Sequence, residues 1–96
     1  MKKYPKRTGE MDRLREMLDI NGIPWVDVSN RRLQIQRTHI PESGDKCKVS
    51  IICGKNSFGG PSGYLEAWDM DHDPVGWLTA EEAFKYITFK YIKENL

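Results

Sequence analysis

The sequence predicts one small α+β domain: a four-stranded, mainly antiparallel sheet flanked by an N-terminal and a C-terminal helix, in the order α-β-β-β-β-α. Three observations carry this expectation. Apolar residues recur at helical spacing near both ends of the chain, runs with period-two alternation lie between them, and the connections between those runs are short enough for hairpins. Helices and sheet then form two layers, with both helices on one face of the sheet.

Met1 to Arg7 is basic and aperiodic and reads as a flexible tail, leaving 8–96 as the domain. Met11, Leu14 and Leu18 form the stripe of a first helix from about Gly9 to Ile20, with Thr8 placed to cap its start and Asn21-Gly22 to end it. Ile23 to Val28 is rich in β-branched and aromatic residues and reads as the first strand, followed by a turn at Ser29-Asn30. In the second strand Leu33, Ile35 and Arg37 alternate with Gln34, Gln36 and Thr38; a turn over Pro41 to Asp45 leads to the third, Lys46 to Cys53. There Cys47, Val49 and Ile51 face one way, Lys48 and Ser50 the other.

The segment Gly54 to Gly63 is a loop, and Tyr64 to Trp68 is the fourth strand. Val75 to Leu78 reads either as a short edge strand or as the lead-in to a helix. Thr79 and Glu82 have capping-box spacing at the start of a last helix, about Ala80 to Glu94, with Ala83, Phe84, Ile87 and Tyr91 as its buried stripe.

Composition narrows the function classes. Of 96 residues, 39% are hydrophobic and 30% charged, the balance of a globular chain rather than a disordered one. Fifteen basic and 14 acidic side chains leave a formal charge of +1, so no bulk field draws the whole molecule to nucleic acid or membrane. The basic start is not followed by the apolar core of a signal peptide, and no run approaches the roughly 18 apolar residues of a membrane span, so a cytoplasmic location is expected. Cys47 and Cys53 share a strand, which sets their Cα atoms about 20 Å apart and rules out a mutual disulfide.

The leading candidate site is the glycine-rich loop, with four glycines in ten positions. Glycine is retained where backbone turns sharply or approaches another group closely. Exposed amides of Gly54, Gly59, Gly60 and Gly63 can form an anion nest; Lys55 adds a charge, and Asn56, Ser57 and Ser62 add donors. Phe58, Tyr64 or Trp68 can stack on a base. The order differs from a P-loop and joins two strands, which argues against a nucleotide hydrolase. The alternative is a hairpin loop whose glycines serve turn geometry alone.

Other patterns are weaker. Asp69-Met70-Asp71-His72-Asp73 opens like a calcium loop, but its sixth position is Pro74 and its twelfth Ala80, so no metal is expected. His39 and His72 have no nucleophile placed beside them by sequence, and no catalytic residue or cofactor is assigned. Arg31, Arg32, Arg37, Lys46 and Lys48 can form a basic stripe across the second and third strands, with Trp25, Tyr64 and Trp68 beside it as base-stacking groups. Three tryptophans and four tyrosines suit either a sheet-helix core or an interface.

Four stretches together carry a resemblance: Leu18-Asp19-Ile20-Asn21-Gly22-Ile23-Pro24-Trp25, then Val49-Ser50-Ile51-Ile52-Cys53-Gly54-Lys55-Asn56-Ser57-Phe58-Gly59-Gly60, Tyr64-Leu65-Glu66-Ala67-Trp68, and Gly76-Trp77-Leu78-Thr79-Ala80-Glu81-Glu82-Ala83-Phe84. Over most of Met11 to Ile87 the chain resembles small accessory proteins of bacteriophages and prophages of gut Firmicutes. The resemblance implies a bacterial host cell and a non-catalytic role against host defence. Two forms of that role are expected: a sponge for a nucleotide-derived signal, or an anti-CRISPR type of inhibitor that binds a host protein. A small nucleic-acid-binding regulator is the third reading, and a homo-oligomer is expected in any of them.

Overall fold

The computed structural model describes residues 4–41 and 47–95, with side chains for 4–41 and 48–89. Helix α1 (Glu10–Ile20) leads into β1 (Val26–Asp27), β2 (Gln36–Pro41), β3 (Cys47–Cys53), β4 (Leu65–Trp68) and β5 (Val75–Leu78), and α2 (Ala80–Asn95) closes the fold. A single 3-10 turn, Gly60–Ser62, interrupts the glycine-rich loop. The strands form an antiparallel meander in chain order.

The sheet has five strands, not four. Val75–Leu78 pairs with β4 through Leu65↔Leu78 and Ala67↔Val75, with a register shift between these pairs. A strand this short, broken by the irregularity and by Trp77 in a left-handed conformation at φ 59°, shows no period-two pattern in sequence.

The second strand starts three residues later than expected and buries the opposite set of side chains. Asn30 and Ile35 close a turn by reciprocal amide-carbonyl bonds of 2.8 and 2.9 Å, the Asn30 side chain accepts from the Leu33 amide at 3.1 Å, and Gln34 sits at φ 55°. Leu33 is therefore exposed at the tip, and Thr38 and Ile40 face the core. Thr38 hides the alternation because it is polar, yet it is buried with its hydroxyl accepting from Arg15 Nε at 2.8 Å and directed at Met11 Sδ at 3.2 Å. A one-residue change of parity transfers a whole strand face, which is why this misassignment moves every side chain. The first strand is likewise shorter than expected, and of the turn expected over Pro41 to Asp45, Pro41 belongs to β2 while 42–46 lie outside the described residues.

Both helices cover one sheet face. Met11, Leu14 and Leu18 of α1 and Ala80, Ala83 and Ile87 of α2 join Ile40, Val49, Ile51, Leu65 and Ala67 in one buried cluster. The capping box at α2 is formed: Thr79 Oγ1 accepts from the Glu82 amide and Glu82 Oε1 from the Thr79 amide, at 3.3 and 3.1 Å. Helix α1 differs from expectation, since Gly9 rather than Thr8 is its N-cap and no side chain caps it; Glu10 and Asp12 supply negative charge to its first turn instead. Tyr91, expected in the stripe of α2, lies beyond the described side chains. No helix among the described residues is long and apolar enough to cross a membrane.

Candidate functional site

Where the sheet outruns α1, its helix-side face is left open. Gln36 and Cys53, directly paired across β2 and β3, lie there at the edge of a groove of about 610 Å³. Arg15 of α1 walls one side, Asp27 of β1 with Ser29, Arg31 and Gln34 of the β1–β2 connection another, and Gly54, Lys55, Gly60 and Pro61 a third. Residues distant in sequence, Arg31 from the expected basic stripe and Lys55 from the glycine-rich loop, thus share one concave surface.

Arg15 organises this end of the molecule. Its Nε donates to Thr38 Oγ1, while one terminal nitrogen contacts Asp27 Oδ1 at 3.1 Å, the Arg37 carbonyl at 3.2 Å and Ser29 Oγ at 3.4 Å. The guanidinium also lies 4.9 Å from the Trp25 ring centroid. Asp27 accepts the Ser29 amide at 2.9 Å; hydrogen bonds from the Ser29 hydroxyl and amide, with Arg15 nearby, hold its carboxyl below the usual carboxylate range. Arg15 is matched by Asp27, but among the described residues neither Arg31 nor Lys55 has an ion-pair partner.

The glycine-rich segment is a packed corner. Ser57 Oγ accepts from the Gly54 amide and donates to the Gly54 carbonyl, both at 2.9 Å. The amides of Ser57, Gly60, Ser62, Gly63 and Tyr64 donate to carbonyls within the corner, and that of Phe58 donates to Glu66 Oε1. These amides are already occupied, and the cations of this region that line the groove are Lys55 and Arg31. Gly60 is required by contact: a Cβ there would stand 1.9 Å from the Gly54 carbonyl oxygen.

The corner has two sides. Gly54, Lys55, Gly60 and Pro61 line the groove, whereas Tyr64 is buried on the other side against the rings of Tyr4 and Trp77. Phe58 and Asn56 are exposed, Ser57 and Ser62 half-buried. No aromatic side chain among the described residues lines the groove, so Phe58, Tyr64 and Trp68 are not placed to stack on a ligand bound there.

The basic stripe is dispersed. Arg31 and Arg32 sit at the exposed turn, Arg37 and Lys48 belong to the sheet face away from the helices, and Lys46 lies outside the described residues. Lys48 is only 8% exposed. On that outer face the register aligns Val26, His39, Ser50 and Trp68 in one row. Burial, with Arg37 beside it, keeps the His39 imidazole below its ordinary pKa. Cys53 is a free thiol whose pKa burial raises, and it points at the Gly60 carbonyl at 3.8 Å. Asp69, at the start of the segment that opens like a calcium loop, is buried: its carboxylate accepts the Asp71 and His72 amides and pairs with His72 Nδ1 at 2.9 Å. Among the described residues no group of three or more His, Cys, Asp or Glu is placed to hold a metal ion.

Arg15, Asp27, Ser29, Gln34 and Gln36 were not among the residues singled out by sequence. One signal was present for Arg15: with Met11 and Leu18 it shares the i, i+4, i+7 spacing of the buried stripe, where a cation needs partners. Fold and site together define an α+β domain with an antiparallel meander, two helices on one face, and a polar cationic groove at the end of that face. No protein-family model, no curated protein and no solved structure matches the chain.

Proposed function

We propose that the protein is a non-enzymatic binding module that captures a small phosphate-bearing molecule in the groove between the β1–β2 connection and the glycine corner. The observation that supports this reading is the convergence of Arg31 and Lys55, two cations without carboxylate partners among the described residues, on a concavity within the size range of small-molecule sites. Asp27, Gln34 and Gln36 offer a carboxylate and two amides for hydroxyl or amide groups of the ligand. The ligand portion inside the groove is therefore read through polar edges rather than by stacking, which suits a sugar phosphate or the sugar-phosphate part of a nucleotide. In the setting implied by the resemblance to phage accessory proteins, capture of a nucleotide-derived signal is sequestration, and it requires no catalytic group.

A thermal-shift screen against sugar phosphates, linear and cyclic nucleotides and ADP-ribose derivatives tests the reading. A ligand at one hundred times its dissociation constant adds about 2.7 kcal/mol, a rise on the order of ten degrees in a domain of this size. The shift should be lost in Lys55→Ala and Arg31→Ala, whose side chains make no ion pair with the described residues. A flat panel, or a shift unchanged in both variants, would refute the groove as the site.

A further inference from the structure

Three large aromatic side chains stay exposed together on the far side of the glycine corner. Tyr4, Trp77 and Phe58 are 41%, 40% and 58% accessible. The Tyr4 and Trp77 rings are 4.6 Å apart at 36°, and both rest on the buried Tyr64 ring at 5.5 Å. The Phe58 carbonyl accepts the Trp77 amide at 3.0 Å, and β5 comes so close that a Cβ at Gly76 would stand 2.1 Å from that of Phe58. Trp77 holds φ 59°, a conformation that a bulky residue adopts only under strain. Burial does not account for that strain, because the ring it positions remains two-fifths exposed.

The ionic surroundings are complementary to a phosphate-bearing chain. Tyr4 stands in the run Lys2-Lys3-Tyr4-Pro5-Lys6-Arg7, with four cations and no carboxylate before Glu10. Pro5 and Arg7 of this run are anchored at the aromatic patch: Tyr64 Oη donates to the Pro5 carbonyl at 2.8 Å, the Arg7 amide donates to the Ser62 carbonyl at 2.8 Å, and the Arg7 guanidinium lies 5.9 Å from the Tyr64 ring centroid. The nearest carboxylates are engaged or few. Glu10 is buried against Arg13 and Arg7, Glu66 accepts the Phe58 amide, and Glu81 lies within electrostatic reach of Arg7.

From this juxtaposition we infer that the Tyr4–Trp77–Phe58 patch binds single-stranded nucleic acid, with bases stacked on the exposed rings and backbone phosphates beside Lys6 and Arg7. Stacking tolerates every base, so the site selects single strands over duplex rather than one sequence over another. It is separate from the groove and does not depend on the function proposed there.

The test is titration of the full chain with an oligothymidylate of about 10 nucleotides, within the usual single-strand site size, followed by tryptophan fluorescence. Quenching is expected, with the dissociation constant rising about fivefold or more in Tyr4→Ala and again in Phe58→Ala, since each stacked base contributes about 1–3 kcal/mol. Both side chains are exposed, and circular dichroism verifies that the variants fold. Lys6→Ala should reduce the salt-dependence slope by about 0.7, the loss of one phosphate contact on a single strand. Absence of quenching, equal affinity in both aromatic variants, equal competition by inorganic polyphosphate, or saturable binding of a proline-rich peptide in place of the oligonucleotide would each overturn the inference.

Discussion

Glu10 Oε1 accepts a hydrogen bond from the amide of Ala80 at 3.3 Å, across 70 positions of chain. The carboxylate, buried in the first turn of α1, thereby sits at the N-terminus of α2, where orphan amides and the helix dipole favour negative charge. Arg13 pairs with its second oxygen, and Arg7 lies 3.8 Å from the first. Two helices that start side by side are joined by one side chain.

Removing that side chain should loosen both helix starts at once. Glu10→Ala leaves the Ala80 amide without its partner and a void at a fully packed position, so unfolding in urea should show a loss of about 2–4 kcal/mol. Glu10→Gln keeps the shape and an acceptor but gives up the ion pairs, and a smaller loss is expected. Equal stability of wild type and Glu10→Ala would refute the bridging role.

Arg15 supports fold and groove through the same guanidinium. Arg15→Lys retains the charge but not the planar fork that reaches Thr38, Asp27 and the Arg37 carbonyl together, and should cost about 2 kcal/mol in chemical denaturation. Thr38→Val in the Arg15→Lys background should add little, because the two residues share one interaction. A fully additive double mutant would show that the Arg15–Thr38 bond carries no coupling.

His39 sets a direction for acid sensitivity. Burial and Arg37 hold its folded-state pKa below the ordinary value of 6.5, so the unfolded chain takes up a proton first as pH falls. This contribution to stability is complete above pH 6.5 and declines below it, until the folded-state pKa is reached. Melting temperatures measured from neutral pH downward should fall through that window, and His39→Gln should flatten this part of the profile. A wild-type curve level between neutrality and the onset of carboxylate titration would contradict it.

Much of the fold was legible because local signals agreed with the tertiary result. The Thr79–Glu82 capping box, the Met11, Leu14 and Leu18 stripe, and the alternation of Val49 and Ile51 are short-range patterns that the packed structure keeps. The failures occurred where a long-range partner changes what a residue can do. Thr38 is acceptable in the core only because Arg15, on another element, satisfies its hydroxyl. Trp77 escapes strand alternation because its ring packs against both Tyr4 and Tyr64.

The candidate site was half legible for a related reason. Glycine spacing marked Gly54 to Gly63 as unusual backbone, but the occupancy of most of its amides by its own carbonyls, Ser57 and Glu66 is a property of the folded corner. Asp27, Gln34 and Gln36 are ordinary polar residues until the β1–β2 connection turns them towards Lys55.

By itself the sequence determined the class of the domain, the position and ends of both helices to within a residue or two, and the loop on which the groove depends. Those features follow from periodicity, capping chemistry and connection length, all of which act over a few residues. The tertiary structure alone decided which face of β2 is buried, that Val75–Leu78 joins the sheet, and that Arg31 and Lys55 meet at one groove while Tyr4, Phe58 and Trp77 gather on the opposite side of the corner. Each of these rests on contacts between residues far apart in the chain, and only the packed layers bring such residues into reach.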